Sequence, residues 1–95
     1  MNKKEARDQM VALIFATESG KYKDKKTGEV ITLENLTERE LFKKVNAQLQ
    51  EKKISRKSVF TAIQAKGFWM QDQEAFAPHL KRMHDFCYSK LENHF

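Results

Sequence analysis

Ala6, Met10, Leu13 and Thr17 recur at helical spacing near the N-terminus, and Val11, Ile14 and Phe15 widen the apolar arc they form. A helix with so broad an arc needs cover on most of its sides. It is expected to run from about Lys3 to Ser19 as the central helix of a bundle, with a subunit interface as the other use of the arc. Gly20 follows where a helix favours a left-handed C-terminal residue.

The covering elements can be read in order. In "KYKDKKTGEVITLE", Tyr22 and Val30-Ile31-Thr32 flank "DKKTG", and Gly28 can supply the positive φ of a short hairpin loop. Such a ribbon is marginal alone, so it must pack on the helices. "LTEREL" predicts a second helix capped by Thr37, with Glu40 as reciprocal partner and Leu36 and Leu41 as staple. Leu41, Phe42, Val45 and Leu49 are its inward stripe, and it should end near Lys52 or Lys53. Ser55 then caps a third helix that reaches about Lys66, with Gly67 as its stop. A last helix is expected from Pro78, a residue suited to a first turn, after a short turn over Asp72–Phe76. Leu80, Met83, Cys87 and Leu91 would face inward, with Phe76, Phe86 and Phe95 as additions. The fold class is therefore mainly α: a small four-helix bundle with a short β-hairpin after helix 1.

A chain of 95 residues has room for one core, so residues 1–95 are read as a single domain. The longest apolar run, Met10–Ala16, is a third of the ~20 residues a membrane span requires. No cleavage-site pattern follows it, and Glu5 and Asp8 break the basic start, so the N-terminus is read as retained. One cysteine, Cys87, can form no internal disulfide, and a cytoplasmic protein is expected.

The net charge of +5 is unevenly placed. From Lys52 to Gln71 stand Lys52, Lys53, Arg56, Lys57 and Lys66 with no acid, and Lys21, Lys23, Lys25 and Lys26 face one Asp between residues 21 and 26. Concentrated positive charge attracts nucleic acid, an acidic protein face or anionic lipid. The stretch "KISRKSVFTAI" resembles the helix-turn-helix motif around its turn: apolar Ile54, the Ser55 cap, then apolar Val59. Lys53 occupies the turn position most often filled by Gly, and Leu49 the position of a smaller residue in the preceding helix. The resemblance covers about twenty residues and implies a helix-turn-helix-like pair, helices 2 and 3. At 100° per residue, Ala62, Val59, Ile63 and Phe60 of helix 3 point inward, leaving Lys57, Thr61, Gln64 and Ala65 outward with Ser58 at the border. Lys and Gln can bond base edges in a major groove, and Ser or Thr can bond phosphate or base. Arg56 and Lys57 oppose the helix dipole in the first turn, a conflict that a phosphate there would remove.

Other chemistry is poorly supplied. His84 and Cys87 lie three apart, but His79 and His94 add no spaced set for tetrahedral zinc, so no metal is expected and Cys87 is read as a core residue. The three glycines form no phosphate loop, and no nucleophile–His arrangement stands out, so neither catalytic residues nor cofactors are assigned. Asp72 and Glu74 read as helix-start residues. Phe68 and Trp69 are expected to pack inward, with base stacking as their other use.

The expectation is a small basic DNA-binding protein, a helix-turn-helix transcription regulator of the kind encoded by phages, plasmids or other mobile elements. Lys57, Ser58, Thr61 and Gln64 would meet the duplex, with Lys52, Lys53 and Arg56 on phosphates. Lys21, Lys23, Lys25 and Lys26 of the ribbon would form a second contact. A homodimer would form through the last helix or the arc of the first. The alternatives are an adaptor or inhibitor that docks its basic face on an acidic protein partner, and an RNA-binding protein.

Overall fold

The computed structural model describes residues 2–20, 22–23, 26–67 and 73–91. Four helices, α1 (Lys3–Glu18), α2 (Glu40–Glu51), α3 (Arg56–Gly67) and α4 (Gln73–Lys90), are joined by a two-stranded ribbon, β1 (Tyr22–Lys23) and β2 (Val30–Ile31), inserted after α1. None of these helices is long and apolar enough to cross a membrane.

α1 is the central helix its broad arc requires. Ala6, Met10, Val11, Leu13, Ile14 and Thr17 are all buried, and the helix touches β1, α2, α3 and α4. Its start is locally encoded: the Asn2 side chain accepts the Glu5 N–H at 2.8 Å and donates to the Glu5 carboxylate at 2.9 Å. Gly20 follows with φ +73°. In the ribbon Tyr22 pairs with Ile31 and Lys23 with Val30, antiparallel, and Gly28 takes φ +72° in the loop. Ile31 is buried and anchors the ribbon in the common core.

α2 begins later than the capping pattern suggests. Leu36–Glu38 forms a single 3-10 turn, and α2 starts at Glu40 after an extended Arg39 that makes no side-chain cap. Thr37 therefore does not cap the helix. Tertiary contacts outweigh the local signal: Leu36 is fully buried, and Arg39 reaches back to Glu29 in the ribbon at 2.7 Å. Phe42, Val45 and Leu49 form the buried stripe. Leu41 lies at its edge, 38% exposed, and is not an inward residue.

The turn between α2 and α3 is fixed by its own hydrogen bonds. The Ile54 N–H reaches the Leu49 carbonyl at 2.9 Å and the Lys53 N–H reaches Gln50 at 3.2 Å, the paired bonds of a Schellman cap. Lys53 takes the left-handed position at φ +55°, the conformation that glycine adopts most readily. Leu49 and Ile54, the hydrophobic pair that accompanies such a cap, are both buried. Ser55 then caps α3 by accepting the Ser58 N–H at 3.0 Å.

Gly67 is not a stop of the left-handed kind. It is the last residue of α3, and a Cβ there would collide with the Phe76 ring. Nor does α4 start at Pro78: it starts at Gln73 and carries Pro78 inside. Proline removes one intrahelical bond, but the earlier start brings Phe76 into the core, where it stacks on Phe15 at 6.0 Å. Met83, Phe86, Cys87 and Leu91 complete the buried side of α4, with Leu80 half-buried. Phe68, Trp69, Asp72, His94 and Phe95 lie outside the described residues.

Candidate nucleic-acid interface

Lys57, Thr61, Gln64 and Ala65 are exposed along α3, opposite buried Val59 and Ile63, and Ser58 is half-buried at the border. The Thr61 hydroxyl donates to the Lys57 carbonyl at 2.8 Å, which leaves its oxygen able to accept from a ligand. Lys53 is exposed at the turn and Lys52 half-buried.

The outward side of α3 is walled on one flank by α1. A groove of about 660 Å³ runs between the two helices, bordered by Arg7 and Asp8 on one side and by Lys57, Thr61 and Lys66 on the other. A second groove of about 360 Å³ continues it over the α2–α3 turn, where Lys3, Lys4 and Arg7 face Lys53. The two share Arg7, Ser55 and Ser58, so they form one trough. Arg7 pairs with its neighbour Asp8 at 3.2 Å. The Lys66 ammonium lies over the Phe15 ring, 4.7 Å from its centroid. The α1 cations were not among the residues expected from sequence. Their spacing at positions 3, 4 and 7 marks one helix face, but Glu5 and Asp8 hide it in a linear count of charge.

Arg56 points elsewhere. Its guanidinium donates to the Tyr88 carbonyl at 2.9 Å and lies 5.0 Å from the centre of the Tyr88 ring, tying the start of α3 to α4. An aromatic cluster continues there: His84 stacks on Tyr88 at 4.6 Å, and Phe60 meets His84 edge-on at 4.9 Å. The hydrogen bond from His84, with Lys81 alongside, holds the Asp85 carboxyl below its ordinary value.

The ribbon lysines are not brought to the trough. Lys23 and Lys26 border a separate cavity of about 720 Å³ with Arg39 and Lys44 of the α2 region, and its lining shares no residue with the trough. Lys21 and Lys25 lie outside the described residues.

His84 and Cys87 share α4 but not an environment. His84 is half-exposed, whereas Cys87 is fully buried and its thiol is pushed up to about 12 by desolvation. Among the described residues no cluster of His, Cys, Asp and Glu converges as a metal site. Comparison with known proteins returns no matching family model, no matching curated protein and no matching solved structure.

Proposed function

We infer that the chain binds double-stranded DNA through α3 and acts as a small helix-turn-helix regulator, working as a dimer in the cytoplasm. The observation that carries this reading is the open side of α3. Lys57, Thr61 and Gln64 are exposed together on a helix without a carboxylate, and the helix is entered through a left-handed turn at Lys53. In this docking mode the second helix lies in the major groove, its N-terminal residues leading. Lys57 and Gln64 bond base edges there, while Thr61 and Ser58 accept or donate at the groove wall. Lys52 and Lys53 meet phosphates beside it.

The test is the double variant Lys57→Ala plus Gln64→Ala. Its melting temperature should equal that of the parent, because both side chains are exposed. Gel shifts against duplex DNA, single-stranded DNA and RNA at two salt concentrations should show duplex binding by the parent and its loss in the variant. Unchanged duplex affinity in the variant would remove α3 from the interface. Binding by the parent to none of the three would transfer the basic face to an acidic protein partner.

A further inference from the structure

We propose that the trough between α1 and α3 is a clamp for one sugar–phosphate strand, with Lys3, Lys4 and Arg7 of α1 and Lys53 of the turn as its cations. This rests on the duplex reading above and assigns the backbone contacts that reading leaves open.

Charge is the first argument. Among the described residues the trough is bordered by Lys3, Lys4, Arg7, Lys53, Lys57 and Lys66 against Asp8 alone, a net +5. The whole chain also carries +5, and the ribbon cavity is the smaller basic concavity, with Lys23, Lys26, Arg39 and Lys44 against Glu40. Among the described residues, Lys3, Lys4, Lys53 and Lys57 stand in no ion pair. Folding places these four lysines along one trough, a distribution that favours a polyanion there.

The character of the lining selects among polyanions. Ser55, Ser58 and Thr61 lie between the cations, and small hydroxyls of this kind bond phosphate oxygens. An acidic peptide would need apolar pockets for anchoring side chains. The trough offers none of that kind: Val11 and Ile54 at its floor are buried, and Ala62 and Ala65 are small. Lys57 and Thr61 belong both to the trough and to the outward side of α3. A strand held in the trough therefore runs beside the base edges that α3 meets.

Salt dependence tests the clamp. Each neutralised phosphate contributes roughly −0.9 to the slope of log affinity against log salt. The variant Lys3→Ala/Lys4→Ala/Arg7→Ala should make that slope shallower by about 2 to 3, with equal loss on every duplex sequence. Lys3→Arg/Lys4→Arg/Arg7→Lys should keep the parental slope. Asp8→Asn removes the trough's one carboxylate and should tighten duplex binding by about two- to five-fold, the scale of one exposed charge interaction. An unchanged slope in the triple alanine variant, or no gain from Asp8→Asn, overturns the clamp while duplex binding by the parent stands. A parent that binds no duplex instead overturns the DNA reading itself.

Discussion

At the C-terminal end of α1, Glu18 sets a carboxylate beside the negative pole of the helix. At the N-terminal end, Lys3 and Lys4 set two cations beside the positive pole, with Glu5 in the same turn. Both arrangements oppose the dipole, yet the protein treats them differently. The Glu18 side chain is only 2% exposed, and one of its oxygens lies 2.8 Å from His79 Nδ1 and 3.2 Å from the Arg82 guanidinium, both on α4. The other oxygen is buried with no hydrogen-bond partner among the described residues. At the opposite end Lys3 and Lys4 are exposed and without an ion pair among the described residues. One conflict is answered inside the fold, where it ties α1 to α4. The other is left open to solvent, met within the turn by Glu5 alone among the described residues.

Four experiments press on this contrast. The largest effect is expected from Glu18→Ala, which removes both α4 contacts and should lower stability by about 2–3 kcal/mol in urea unfolding. A variant as stable as the parent would mean that the closed end is not closed.

Alkaline pH probes the same closed side through Cys87 of α4. Its thiol is raised from 9.0 to about 12 by burial, so the folded chain keeps a proton that the unfolded chain releases above pH 9. Stability from this group is complete below pH 9 and falls as pH rises toward 12. Between pH 9 and about pH 10.5 the parent should lose about 1–2 kcal/mol more than Cys87→Ala. Parallel pH profiles for the two would show that the thiol is not shielded.

The remaining two concern the open end. Lys53→Gly places the preferred residue at the left-handed turn and should add about 1 kcal/mol of stability while weakening duplex binding. Smallest is Lys3→Ala/Lys4→Ala, which relieves the dipole conflict and should raise stability by about 0.3–1 kcal/mol while reducing duplex affinity. A loss of stability in that variant would give the α1 cations a partner within the fold.

What could be read from the chain follows a physical division. The breadth of the arc around Met10 and Ile14 signalled a central helix, because burial is written in the periodicity itself. Gly20, Gly28 and Ser55 do the backbone work expected of them, since each acts within a few residues of its own position. Even the turn at Lys53 was legible from the flanking Ile54 and Ser55. Errors arose where a distant partner decided. Thr37 lost its cap to the burial of Leu36 and the Arg39–Glu29 pair, ten residues apart. Pro78 was overruled by the fit of Phe76, and the Arg56 bond to Tyr88, thirty-two residues along the chain, left no trace in the local pattern. The same limit hid the α1 cations, whose approach to the α2–α3 turn depends on how the helices pack.

The missing methyl at Gly67 has a mechanical consequence. The Phe76 ring fills that vacancy, is buried, and stacks on Phe15. Enlarging position 67 must displace the Phe76 ring or shift α3 and α4 relative to each other. The neighbouring Lys66 borders the basic channel, and its ammonium lies over Phe15, the ring that stacks on Phe76. Position 67 is thus coupled through the Phe76 and Phe15 rings to Lys66, so a side chain added on the dry side of the helix should be felt along the basic channel.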